Sequence, residues 1–331
     1  MTEVSGQLGG VSLPARAYSP GTSSPLPLAD TLGAFRRGVD AVTQAAHDGA
    51  GVVARGIRTL SSPRGLVGTA VETAWCAAHL AVYPWGLITD QHYYRHGYGL
   101  DELTPTQRGL VIGDVEAAAT PILLVHGMVD NRSIFTLLRR GLHRRGFGRV
   151  VTTNYSPFTN DVRGAAAQLA ANVEELVADT GYERIHVVGH SLGGLIARYY
   201  VQRLGGHERV HTLVTLGTPH LGTRAAYLWP ANLGRQLRPG SDLMEELAQP
   251  APECTTRFLS YWSDLDQMIV PKRNARVVHP DLQRRNRLVR GVGHMSLPIK
   301  GRLVHEITNA LSQLDTDGTT LTEGVTALQT R

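Results

Sequence analysis

From residue 121 onward the chain alternates short apolar runs with helical stripes. Pro121-Ile-Leu-Leu-Val-His126 has the continuous apolar character of a parallel strand buried on both faces. Ile134, Leu137, Leu138 and Leu142 share one face of a helix over 132–145, closed by Gly146. Residues 150–154 read as a second strand. Ala166, Leu169, Ala170, Val173, Leu176 and Val177 form a helical stripe that stops at Gly181. Residues 185–189 are a third strand, 192–204 a helix and 210–216 a fourth strand. Residues 258–262 and 288–292 are the predicted fifth and sixth strands, and Leu303, Val304, Ile307, Ala310, Leu311 and Leu314 mark a closing helix. This alternation predicts an α/β domain over 115–314, a mainly parallel sheet with helices on both faces. Chemistry in such a sheet belongs at the carboxyl ends of the strands.

The remainder is organised differently. Residues 1–60 are rich in Gly, Ser, Pro and Ala and read as a flexible N-terminal extension, with a short helix around 32–46. Residues 61–114 form a helical segment holding the most apolar window, 66–88. Glu72, His79 and Pro84 interrupt that window, which argues against a membrane span. Val67, Val71, Ala74, Ala78 and Val82 instead recur at helical spacing, so an amphipathic helix packed on the domain is expected. The His92–His96 connector has no third ligand at metal spacing. Residues 315–331 are a polar tail. The opening residues lack a basic start followed by an apolar run, so the expected location is cytoplasmic or peripherally membrane-associated.

Composition narrows the function classes. With 42% hydrophobic and 18% charged residues, a packed core is easily built and global disorder is excluded. The formal charge of +5 comes from scattered Arg without interleaved aromatics. That excludes a nucleic-acid partner and leaves open a peripheral contact with an anionic lipid surface. Two cysteines in 331 residues read as buried thiols rather than a disulfide framework.

Gly189-His190-Ser191-Leu192-Gly193 fits G-x-S-x-G, between an apolar strand and a helical pattern. A serine there sits on a strained turn, with glycines where side chains would strike the neighbouring backbone. The following helix N-terminus favours a developing anion. Ser191 is therefore the candidate nucleophile. Two backbone donors should face the oxyanion: Leu192 N–H, next after the serine, and Met128 N–H, in the His126-Gly127-Met128 loop after the first strand. His126 precedes the serine and is expected to brace that loop. Among 14 histidines, His294 follows the predicted sixth strand within Gly291-Val-Gly-His294, where a base is expected. His279 and His305 have less suitable contexts. The acid should lie in Ser263-Asp-Leu-Asp266, after the fifth strand. Asp266 is preferred because Met268-Ile-Val270 can anchor its loop, and Asp264 is the alternative. Residues 223–250 are apolar and predict a small cap over the site, with Tyr227 and Trp229 as substrate-binding candidates.

The stretches 121–128, 187–194, Thr215-Leu-Gly-Thr-Pro-His-Leu-Gly222, the Asp266–Pro271 loop and 291–294 together resemble the bacterial lipases and esterases of the α/β-hydrolase fold, in particular actinobacterial triacylglycerol-lipase-like proteins. The resemblance runs over about 115–312. It implies hydrolysis of a lipid or small carboxylic ester by a Ser191–His294–Asp266 triad, with Met128 and Leu192 as oxyanion donors, through an acyl-enzyme and without a cofactor or metal. A thioesterase, amidase or acyltransferase would use the same residues. A non-catalytic membrane- or partner-binding protein of this fold would be marked by a lost triad member, and none is lost.

Overall fold

The computed structural model describes residues 119–128, 130–153, 160–229 and 231–312, together with Pro63, 66–68, 70–74, Cys76 and Ala77. The predicted extension, the His92–His96 connector, the end of the amphipathic stripe and the polar tail lie outside these residues.

Six strands form one all-parallel sheet: β1 (Ile122–Val125), β2 (Val150–Thr153), β3 (Ile185–His190), β4 (Val210–Leu216), β5 (Arg257–Ser263) and β6 (Gln283–Val289), in the order β2-β1-β3-β4-β5-β6. β1, β3 and β4 are buried along their whole length, as their unbroken apolar runs require. Alternation splits the core into two layers. Leu123, Val125, Val187 and Leu213 point to one, against α2 (Val162–Thr180) and α3 (Leu192–Arg203). Ile122, Leu124, Val188 and Val214 point to the other, against α1 (Thr136–Arg144) and α6 (Gly301–Ser312). Helices thus cover both faces.

The helix starts follow local chemistry. Asp161 caps α2 by accepting from the N–H groups of Arg163 and Gly164, and Gly181 ends it at φ 72°. The helix expected over 132–145 is a 3₁₀ turn, Arg132–Phe135, followed by α1; Asn131 caps the turn through Ser133 N–H.

The sixth strand departs from expectation. It runs Gln283–Val289 rather than 288–292, because it is the sheet's edge. Five of its seven residues are exposed and Arg284, Arg285 and Arg287 dominate it, so no apolar run announces it. Charge on an edge discourages pairing with another chain.

The insert between β4 and β5 also departs. It contains two short helices, α4 (Asn232–Gln236) and α5 (Asp242–Glu246). Leu233, Leu237, Leu243, Met244 and Leu247 are buried in the same core layer as α2 and α3. The fully buried guanidinium of Arg198, on α3, donates to the carbonyls of Leu247 and His220 and to Gln202 Oε1. Arg163 pairs with Glu246 from α2. The leucines of the insert are therefore part of the core, while Tyr227, Leu228 and Trp229 at its start are exposed.

Among the described residues no helix is long and apolar enough to cross a membrane. Cys76 is half-buried, Cys254 is buried, and both are free thiols.

Candidate active site

Order β1-β3 is a topological switch point: the chain leaves β1 toward one edge and β3 toward the other, opening a crevice at their carboxyl ends. Val125 pairs with Gly189, so the loop after β1 lies beside the turn after β3. Ser191 occupies that turn at φ 52° and ψ −121°, alone among the described non-glycine residues in having a positive φ. Its N–H donates to Leu216 O and its carbonyl accepts from Thr218 Oγ1, at 2.8 and 2.9 Å. These bonds hold a strained conformation in place. The flanking glycines are sterically required. A Cβ at Gly193 would stand 2.3 Å from the carbonyl oxygens of both Val125 and His126, and one at Gly189 would stand 2.4 Å from Gly194 Cα.

His294 lies five residues beyond β6 and Asp266 three beyond β5. His294 Nδ1–H donates to Asp266 Oδ2 at 2.8 Å. The other oxygen of Asp266 accepts from Met268 N–H and Ile269 N–H, at 2.9 and 3.1 Å. Both side chains are buried. Burial disfavours the His294 cation, but the Asp266 charge and hydrogen bond, with Asp130 and Glu72 behind them, raise its pKa above the ordinary value. Burial likewise works against ionised Asp266, yet its histidine and amide partners hold its pKa below the usual range. With Nδ1 engaged, Nε2 is the nitrogen left for a proton from elsewhere. Gly217, at φ 58°, passes beneath the pair: a Cβ there would stand 3.1 Å from both Asp266 Oδ2 and His294 Nδ1.

Ser191 and His294 line one apolar cavity of about 250 Å³, together with Met128, Leu265, Met268 and Met295. No hydrogen bond joins Ser191 Oγ to His294; contacts of this kind commonly tighten only when substrate is bound. Met128 is on the cavity wall, and Leu192 opens α3, so its N–H has no intrahelical acceptor.

The other sequence candidates fall elsewhere. Asp264 accepts from Gly291 N–H at 2.8 Å rather than facing the histidine. His126 donates to Gly127 O within the loop after β1, and burial lowers its pKa. His279 meets Gln249 O, and His305 is exposed beside Arg145 and Asn309. Tyr227 and Trp229 are 59% and 40% exposed, and neither is among the described residues lining the cavity. The insert turns its leucines inward to the core and leaves these two aromatics exposed at the surface.

The wall expected from the insert comes instead from the N-terminal segment. Residues 66–68, 70–74, 76 and 77 are helical, and Gly68, Glu72 and Cys76, four apart, face the cavity. Val67 and Val71 of the predicted stripe are 65% and 51% exposed and line a second, open pocket with Leu288 and Val292. Sequence reasoning used Glu72 only as an argument against a membrane span. The signal available was a lone carboxylate inside an apolar window. It also missed a second buried imidazole–carboxylate contact: His190 Nδ1 meets Asp130 Oδ2 at 2.9 Å, while His190 Nε2–H donates to His294 O at 3.1 Å. The two imidazole rings lie 4.9 Å apart. Among the described residues no cluster of His, Cys, Asp and Glu is arranged to hold a metal.

Comparison with known proteins agrees with this architecture. Residues 121–268 match the family model described as palmitoyl protein thioesterase. The chain is 32% identical over 125 residues to a triacylglycerol lipase of Burkholderia plantarii, covering 35% of this chain and 34% of that protein. It is 31% identical over 118 residues to a triacylglycerol lipase of Pseudarthrobacter phenanthrenivorans, covering 33% and 36%. The chain thus spans about a third of the length of the curated relatives it matches. Among solved structures, Aspergillus fumigatus lipase B superposes with a TM-score of 0.52 at 15% identity, over 58% of this chain and 52% of that one. A mature Bacillus licheniformis lipase gives 0.50 at 19% identity, over 59% and 92%. The domain has the α/β-hydrolase fold and is related in sequence to bacterial triacylglycerol lipases.

Proposed function

We propose that this protein is a serine hydrolase of carboxylic esters, with Ser191 as nucleophile, His294 as general base and Asp266 as the acid that orients it. The observation that carries the reading is the buried His294–Asp266 hydrogen bond, with His294 and Ser191, on its strained turn, lining one apolar cavity. Neutral His294 takes the proton of Ser191 as the hydroxyl attacks the ester carbonyl. The C–O bond to the alcohol then breaks, and the alcohol leaves with that proton. Water adds to the acyl-enzyme by the same path, releasing the acid and restoring the serine. The N–H groups of Met128 and Leu192 hold the oxyanion. Each such donor typically contributes about 3 kcal/mol to lowering the barrier. The apolar lining suits a lipid acyl chain, in keeping with the lipase relatives.

The family-model match favours one second reading, in which the scissile bond is a thioester of a long acyl chain. Hydrolysis of a p-nitrophenyl ester by wild type, lost in Ser191→Ala, is the expected result; turnover retained in Ser191→Ala refutes the assignment. Matched oxygen esters and thioesters of one acyl chain, compared by kcat/KM, separate the two readings.

A further inference from the structure

Two carboxylates at the cavity belong to no part of the mechanism above, Asp130, which meets His190, and Glu72. Glu72 reaches the loop that carries His294 from a segment far upstream of the sheet. Its Oε1 accepts from Met295 N–H at 2.5 Å, and its Oε2 accepts from Ser296 N–H at 3.0 Å and Ser296 Oγ–H at 2.5 Å. Two glycines make this approach possible. A Cβ on Gly293 would stand 2.3 Å from the Glu72 carboxylate, and a Cβ on Gly68 would stand 2.4 Å from Leu265 Cδ1 and 3.1 Å from Gly291 O. The contact is therefore a fitted one, with no room for a side chain at either glycine.

We propose that Glu72 is a positioning residue for His294: its carboxylate fixes the backbone of Met295 and Ser296 and thereby holds the imidazole in the cavity with Ser191. The physical logic is that of an outer carboxylate orienting an inner ligand, where small displacements of the reacting group cost orders of magnitude in rate. Without Glu72, two consecutive amides of a short loop lose a charged acceptor, and the loop can relax away from the serine. The imidazole also loses one of the negative groups that face it, the others being Asp266 and Asp130; among the described residues His190 stacks beside it and the Cys76 thiol shares its cavity. Glu72 lies outside the residues matched by the family model, so this support is supplied by the N-terminal segment and not by the sheet.

The assignment rests on the reading of Ser191 and His294 given above. Its test uses full-length wild type, Glu72→Gln and Glu72→Ala. Three experiments are run: the rate of Ser191 labelling by a fluorophosphonate as a function of pH, steady-state kinetics (kcat and KM) on a p-nitrophenyl ester, and amide hydrogen exchange. A side-chain amide keeps the shape but offers one acceptor oxygen, so labelling and kcat should fall about tenfold in Glu72→Gln and further in Glu72→Ala. KM should stay within threefold. The acid limb of the labelling profile should move to lower pH, and exchange should rise at Met295 and Ser296 while the sheet stays protected. Wild-type rates and an unmoved limb in both variants overturn the assignment. So does a loss confined to KM, or a rise in exchange spread over the whole domain, either of which marks a wall or a structural strap. Should Glu72→Ala fail to fold, Glu72→Gln alone decides. A wild type that does not label overturns the hydrolase reading itself, whereas a wild type that labels identically to both variants overturns only the role of Glu72.

Discussion

Replacing Asp266 by Asn changes one atom and, by the geometry described, reverses the role of the base. Asp266 uses Oδ1 for two backbone N–H groups, from Met268 and Ile269, and Oδ2 for His294 Nδ1–H. An asparagine has one acceptor oxygen. The two amides claim it, because leaving two buried N–H groups facing an NH₂ would cost about 1–3 kcal/mol each. The new NH₂ then faces His294 Nδ1 and makes it an acceptor. The imidazole proton moves to Nε2, and the serine meets a donor where it needs a base. The equivalent substitution in a serine protease triad lowers kcat roughly 10⁴-fold, which corresponds to about 5.4 kcal/mol of barrier. The assay is kcat/KM on a p-nitrophenyl ester from pH 5 to 9, with Asp264→Asn as the control. In wild type, catalysis needs neutral His294, whose folded pKa is raised. Activity should therefore rise with pH through a midpoint above the ordinary histidine value of about 6.5. Asp264→Asn should stay within about threefold of wild type, since that side chain serves the Gly291 amide. A loss below tenfold in Asp266→Asn, or a wild-type midpoint below the ordinary value, refutes the reasoning.

Other substitutions probe different links. Gly193→Ala places a Cβ 2.3 Å from two strand-end carbonyl oxygens; it should cost about 1–3 kcal/mol in urea unfolding, with activity falling more than about a hundredfold as the turn shifts. Arg198→Met leaves the Leu247 and His220 carbonyls without their guanidinium donor; denaturant titration should register a loss of about 1–3 kcal/mol. Trp229→Ala should leave acyl-chain-length preference unchanged, whereas Met268→Trp, at the cavity wall, should shorten the best chain. A chain-length shift in Trp229→Ala would restore the insert as a substrate-binding cap.

Where sequence reading failed, it failed for identifiable reasons. The insert's leucines are plainly apolar in the sequence, but apolarity does not say which surface they cover. Arg198 and Gln202, which draw Leu247 onto α3, stand 45 residues or more away in the chain. The edge strand was displaced because half-exposed Arg-rich backbone carries no hydrophobic run. The upstream stripe of Val67 and Val71 predicts a packing face, whereas the face at the cavity is Gly68, Glu72 and Cys76. Small and charged residues there fit against the loops of the site, a match that requires knowing those loops.

The α/β alternation, the strained turn at Ser191 and the glycines around it were legible because they depend on neighbours a few residues apart, where strand period, helix period and Cβ sterics operate. The contact of Asp266 with His294, the His190–Asp130 contact and the reach of Glu72 to residues 295 and 296 were decided only by the tertiary structure. Each joins loops that the parallel sheet brings to one rim, and hydrogen-bond geometry over two or three ångströms is not encoded in any local pattern.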